Sequence, residues 1–268
     1  MEVSDAVSGD QHEKPGDRVA IVVGAGSGQG RAIALDLATD HHVVLGGRRA
    51  DSLDETAAMI GGRAHAVPTD ATLVEDVQRL INATLERHGR IDILVNAQGV
   101  LAPFLPMDDF NLDRALEIWN YVYTSCATSQ FLTSFAVMPH LTRPGGRIIN
   151  ITSAGALHGS PKREDKGIAY CAAKAALHGM TYSFALLLGR EGITVNAIVP
   201  GYIMNTDMSA KSIEEDPELN ESLVARIPVG RGGQPDEIAA AVRFLASPAA
   251  GFITGELLNV SGGMVLGR

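Results

Sequence analysis

The chain has only two cysteines, Cys126 and Cys171, a single tryptophan, and no cluster of lysine and arginine. Two cysteines cannot build a disulfide framework, and neither they nor the eight histidines follow the spacing of a zinc site, so no metal is expected. A reducing cytoplasm is the expected setting. Lysine and arginine number 22 against 31 acidic residues, a formal charge of -9, and the one dense charged stretch, from Lys162 to Lys166, mixes both signs. Nucleic acid and anionic membrane surfaces, which need clustered cations, are therefore not expected partners. No apolar run reaches the length of a membrane span. The polar, acidic start lacks the apolar core of a signal peptide, and residues 1–16 read as a disordered lead-in to one domain over 17–268.

What the chain does have is a regular alternation. Short β-branched apolar runs at 18–23, 42–45, 64–67, 91–95, 147–151, 194–199 and 257–260 alternate with amphipathic helical segments. Continuously apolar strands separated by helices belong to a parallel sheet covered on both faces. The expected fold is α/β, a doubly wound sheet of seven strands in three α/β/α layers with right-handed crossovers. Ligands of such sheets bind beyond the carboxyl ends of the strands, which directs attention to the residues following each run.

After the first run comes Gly24-Ala25-Gly26-Ser27-Gly28-Gln29-Gly30. Its glycines allow a tight turn, a close backbone approach to a pyrophosphate, and a helix N-terminus with free N–H groups facing phosphate. The second run ends in Gly46-Gly47-Arg48-Arg49 rather than in the acid that would bind a ribose 2′-hydroxyl. A guanidinium suits a 2′-phosphate, so NADP(H) is the preferred cofactor with Arg48 as its main contact beside Arg49, and NAD(H) is the alternative. Asp70, before Ala71, can accept from the adenine amine, with a helix N-cap as the rival role. Asn96-Ala97-Gln98-Gly99 puts small residues where backbone would pass close to a cofactor.

Ser153 follows the fifth run, and Tyr170-x-x-x-Lys174 lies on the next helix, so that phenol and ammonium share one face. Reduction of a ketone requires a proton at oxygen, and oxidation of an alcohol requires its removal. A phenol can do either if its pKa is brought down from about 10 toward the working pH. Lys174 is expected to stabilise the phenolate and Ser153 to donate to the same substrate oxygen.

Taken together, these motifs resemble the classical short-chain dehydrogenase/reductases, and the likeness runs from about Arg18 to Gly263. It also takes in Asn196-Ala197-Ile198-Val199-Pro200-Gly201, Gly230-Arg231-Gly232-Gly233-Gln234-Pro235 and Phe252-Ile253-Thr254-Gly255. The resemblance implies a Rossmann-type sheet, a catalytic set of Ser153, Tyr170 and Lys174, and contacts to a nicotinamide carboxamide after Pro200 and Gly201, through Ile203, Asn205 and Thr206. It implies a small-molecule carbonyl or alcohol substrate and a homotetramer or homodimer. A non-catalytic nucleotide-binding regulator is the alternative of a different class.

The chain departs from the family pattern in several places. Val23 and Gln29 stand where the family carries Thr and Ile or Leu, and Ala97-Gln98 replaces Asn-Ala. Cys126 aligns with a catalytic asparagine, where its backbone carbonyl is expected to hold the relay water. The segment around Ser160–Lys166 is longer than usual and is expected to edge the substrate mouth. Residues 203–227 resemble a mobile lid.

Overall fold

The computed structural model describes residues 18–101, 111–159, 167–206, 209–210 and 217–266. The lead-in, the loop at 160–166 and part of the expected lid lie outside the described residues. Strands β1 (Val19–Val23), β2 (His42–Gly47), β3 (Ala64–Pro68), β4 (Ile93–Asn96), β5 (Arg147–Ile151), β6 (Thr194–Pro200) and β7 (Leu257–Val260) form one sheet in the order β3-β2-β1-β4-β5-β6-β7. Every pairing is parallel. The expected seven-stranded Rossmann-type sheet is thus present.

β4 begins later than its apolar run because Asp92 interrupts it. That buried carboxylate accepts from the Val19 N–H (2.8 Å), from Thr142 Oγ1 (2.7 Å) and from the Arg90 guanidinium, tying the lower ends of β1 and β4 together.

Helices α1 (Gly28–Leu37), α2 (Ala50–Ile60), α3 (Val74–His88), α4 (Leu112–Tyr123), α5 (Ser129–Val137), α6 (Gly155–His158), α7 (Ile168–Leu188), α8 (Pro217–Ala225) and α9 (Pro235–Ala246) complete the chain order. Alternate strand residues feed two cores. Ala20, Val22, Leu45 and Ile149 pack with Ile33 and Leu37 of α1 and Ile238 and Val242 of α9. Ile21, Val44, Leu94 and Ile148 pack with Leu80 of α3, Val137 of α5 and Leu188 of α7.

The local code is clear in α3. Val77, Leu80, Ile81 and Thr84 are buried at helical spacing, Glu75 and Asp76 sit in the first turn, Arg87 and His88 in the last, and Gly89 ends the helix at φ +71. A fully buried leucine such as Leu80 contributes roughly 2 kcal/mol. Among the described residues, no helix is long and apolar enough to cross a membrane.

This topology positions the site. The chain runs outward from β1 toward β3, then returns to build β4 to β7 on the other side. The connections leaving the paired β1 and β4 therefore part in opposite directions above their carboxyl ends, the place where sheets of this topology bind ligands.

Candidate active site

The glycine loop leaves β1 and is held rigidly from below. Gly24 and Ala25 N–H groups donate to the Gly46 carbonyl at 2.8 and 3.2 Å. The Ala25 carbonyl accepts from Thr56 Oγ1 (3.1 Å), and the Gly26 carbonyl from the Arg31 guanidinium (2.6 Å). Arg31 also donates to Thr56 and Glu55, making an anchor that sequence reasoning missed. Its signal was a cation on the first turn of α1 with an acid on the neighbouring helix.

Two glycines are required here by space. A Cβ on Gly30 would stand 2.0 Å from the Gly24 carbonyl oxygen, and one on Gly24, at φ +89, would meet the Ala97–Gln98 peptide at 2.9 Å. Ser27, at the N-cap of α1, makes no capping bond with its side chain; its hydroxyl accepts instead from Arg49 (3.2 Å). The N-terminal amides of α1 are thereby left without a side-chain cap, as a phosphate-binding helix end requires. Glycine spacing, close packing and the uncapped helix all fit a dinucleotide.

Around this cradle, Arg48 and Arg49 are exposed after β2. Asp70 makes a local turn, its Oδ1 accepting from the Thr72 N–H (3.0 Å) and hydroxyl (2.7 Å). The N-cap of α3 is Leu73, so the rival capping role for Asp70 is not the one it performs. Ala71 is buried beside it. Thr206 reaches back over the loop: a Cβ on Gly28 would stand 3.4 Å from Thr206 Cβ. Asn205, at φ 56, turns its amide to Gln234 (2.7 Å). The Thr206 hydroxyl and N–H exchange hydrogen bonds with Ser209, each at 3.0 Å. Pro200 and Gly201 close the end of β6, where the Ala154 N–H donates to the Pro200 carbonyl (2.8 Å) and the Gly201 N–H to Val260 (3.0 Å). Ile203 is buried and bridges Gly233.

Asn96 belongs to a different device. Fully buried, its amide donates to Ser134 and to Asn150 (2.9 Å each) and its carbonyl accepts from Thr133 (2.7 Å). Only its backbone is left for a ligand. Asn150 passes the network on to Thr181 (3.0 Å). A polar residue near the end of each of β4 and β5 was the available signal.

α7 is fastened to β5 by three successive turns. Thr181 takes Asn150; Lys174 Nζ donates to the Ile151 carbonyl (2.8 Å); His178 Nε2 lies 3.3 Å from Thr152 Oγ1. This seam holds Tyr170 over Ser153, with which it shares a side-chain hydrogen bond, while Ser153 Oγ also accepts from the Gly155 N–H (3.1 Å). Lys174 Nζ lies 5.9 Å from the centre of the Tyr170 ring.

The protein's own groups around Tyr170 work against an acidified phenol. Burial, with Cys126 and Cys171 adding to it, pushes the Tyr170 phenol well above its ordinary value despite the Ser153 hydrogen bond. Burial also pushes the Lys174 ammonium down, against the opposing influence of Cys126. Desolvation penalises both charged forms, and it outweighs any help the amine offers the phenolate.

One short segment joins the two halves. Residues 97–99 abut Gly24 at one end; at the other, a Cβ on Gly99 would stand 3.2 Å from Lys174 Nζ and 3.4 Å from Cys126 Sγ. Glycine cradle and chemical groups therefore lie at the two ends of one short segment. On the outer face, α4, α5 and α7 border an apolar groove of about 580 Å³ that exposes Phe131 and Phe135.

A family model described as enoyl-(acyl carrier protein) reductase matches residues 24–265. A 3-oxoacyl-[acyl-carrier-protein] reductase of Synechocystis sp. is 40% identical over 257 residues, covering 93% of this chain and 97% of the relative. The structure of the actinorhodin polyketide ketoreductase with NADPH superposes with a TM-score of 0.82 at 31% identity, covering 92% of this chain and 97% of the other. The 3-ketoacyl-(acyl-carrier-protein) reductase of Brucella melitensis complexed with NADH does so with the same TM-score at 28% identity, over 93% and 98% of the two chains.

Proposed function

Because the chain belongs to the short-chain dehydrogenase/reductase family, and relatives such as the 3-oxoacyl-[acyl-carrier-protein] reductase are named as oxidoreductases acting between CH–OH and C=O, we propose that it reduces a small-molecule ketone with NADPH. The carrying observation is the continuous packing from the Gly24–Gly30 cradle through residues 97–99 to Lys174, with Tyr170 and Ser153 hydrogen-bonded close by.

The α1 N-terminus holds the pyrophosphate with its free amides, through Gly26, Ser27, Gly28 and Gln29. Arg48, exposed after β2, takes the 2′-phosphate with Arg49 alongside. Asp70 and Ala71 serve the adenine, the 96–98 backbone the ribose, and Pro200, Gly201 and Ile203 the carboxamide. Thr206, lying over Gly28, is better placed for the phosphates than Asn205, whose amide is committed to Gln234.

When bound, the nicotinamide supplies the hydride. Ser153 donates a hydrogen bond to the substrate carbonyl and fixes it. Tyr170, kept protonated by its burial, delivers a proton to that same oxygen as negative charge develops there. Lys174, anchored on Ile151, sits where it can support the phenolate left behind. A neutral phenol in the resting protein suits reduction, in which Tyr170 is the acid.

The relatives' names support a 3-oxoacyl-type ketone as the substrate class. The two thiols, both free, suit a reducing cytoplasm. The α4–α5–α7 groove supports self-association as a homodimer or homotetramer.

The test is turnover of a β-keto ester panel with NADPH and with NADH. Tyr170→Phe should abolish reduction while leaving the NADPH dissociation constant nearly unchanged. Retained turnover would remove the mechanism, and cofactor binding without turnover of any ketone would favour a regulator.

A further inference from the structure

We infer that Cys126 is a positioning residue whose thiol clips the backbone of Val100, fixing the segment that separates the cofactor cradle from Lys174. The inference deepens the ketoreductase reading and rests on it. Cys126 Sγ accepts from the Val100 N–H at 3.3 Å and donates to the Val100 carbonyl at 3.4 Å. Both backbone groups of one loop residue are thus held by one side-chain atom. Only the protonated thiol can do this, since a thiolate has no proton to donate.

The helix delivers the sulfur there by a local irregularity. Thr124–Thr128, between α4 and α5, form a π-helical turn with Cys126 at its centre, fully buried. Widening the turn shifts the register of the helix at this point, and such turns concentrate at functional sites.

The position of the clip gives it leverage. Gly99 has no side chain, and the space a Cβ would occupy is shared by Cys126 Sγ (3.4 Å) and Lys174 Nζ (3.2 Å). Gln130, from the start of α5, supports the same segment by donating to the Gln98 carbonyl (3.0 Å). Without the clip, Val100 would have two backbone groups seeking other partners, and the wall against Lys174 would be free to move. The asparagine that the family carries at this position also offers one donor and one acceptor. Cysteine retains that pair of functions on a smaller group. Cys126 touches no reacting atom, so its contribution runs through Gly99, Val100 and Lys174.

The experiment compares Cys126→Ser, which keeps donor and acceptor, with Cys126→Val, which stays apolar, is somewhat larger and loses both. Amide hydrogen exchange of the 97–101 segment in the ligand-free protein reads the clip directly and does not depend on turnover. Turnover of ethyl acetoacetate, or of the best ketone in the panel, reads its consequence. Cys126→Val should speed exchange of that segment and lower kcat about tenfold, roughly 1.4 kcal/mol in barrier, with KM for NADPH within about twofold. Cys126→Ser should match the parent in both. If the valine variant does not fold, Cys126→Ala takes its place under the same criteria. Unchanged exchange in the valine variant, faster exchange with unchanged kcat, or a serine variant as damaged as valine would each overturn the inference. Failure of the ketoreductase reading shows separately, as absent turnover in the parent protein.

Discussion

Gly30 approaches Gly24 so closely that a Cβ on the former would stand 2.0 Å from the carbonyl oxygen of the latter. Neither partner can give way cheaply, because the loop is bonded to Gly46 below and α1 is locked to α9 by Arg243, which bridges Asp36 and Asp40. Gly30→Ala should therefore displace the start of α1, costing about 1–3 kcal/mol as overpacking does. NADPH affinity, measured by fluorescence titration, should fall at least about tenfold. Unchanged affinity in a folded variant would mean that the helix N-terminus is not the phosphate site.

Arg48 separates the two nicotinamide cofactors. It is exposed after β2, where Arg48-Arg49 rather than a carboxylate directly follows the strand. Arg48→Ala should weaken NADPH by about one to two powers of ten, in line with the loss of a charge-assisted hydrogen bond, and leave NADH nearly untouched. Equal loss for both would sink the NADPH assignment.

The pH dependence of the two directions should be opposite in character. Ketone reduction needs the protonated phenol, and burial holds the Tyr170 pKa above its ordinary value, so the reduction rate should be flat over roughly pH 6 to 9. Alcohol oxidation needs the phenol to lose its proton, so its rate should climb with pH across the same range. Initial rates in both directions check this. A reduction rate falling with an apparent pKa near neutrality would show that another group supplies the proton.

At the opposite edge of the sheet, His42 of β2, His65 of β3 and His88 of α3 come together, with ring centres 5.2 and 6.5 Å apart around His88 and Arg87 alongside. Burial, then the charges of His42, Arg87 and His65, hold His88 below the usual imidazole range. Burial and Arg87 do the same for His65. With folded pKa values below the unfolded value of about 6.5, the unfolded chain binds more protons in acid. The stability tied to these neutral rings is complete above that value and drains away as pH falls toward the folded pKa. Thermal unfolding should show the midpoint dropping between roughly pH 7 and 5, and His88→Gln should flatten the slope. An identical slope in the variant would remove the trio as the cause.

Phe131 and Phe135 stand in the outer groove, ring centres 5.6 Å apart, with Phe184 beside Phe131 at 6.5 Å. Exposed aromatics lining a groove of this kind mark an interaction face. Light scattering should find the parent protein as a dimer or tetramer, and Phe135→Glu should shift it toward the monomer. A monomeric parent would refute assembly through this face.

The amino-acid order by itself was enough for the sheet, because the inner strands of a parallel sheet covered by helices must be apolar on both faces and the helices between them need one apolar stripe each. It was enough, too, to single out Ser153, Tyr170 and Lys174, which fall just beyond strand ends or one helical turn apart and which the fold brings together. What it could not specify was how groups distant in the chain share space. Nothing in the order of residues shows that the Asn96 side chain is taken up by Ser134, Thr133 and Asn150, leaving only its backbone for a ligand. Asn205 and Thr206 are neighbours in sequence, yet only the positive φ of the former sends one toward Gln234 and leaves the other over Gly28. The protonation of Tyr170 turned on desolvation, which depends on everything packed around the phenol rather than on the lysine one turn away. Periodicity records which face of an element is buried; packing alone determines which polar groups meet there and at what electrostatic cost.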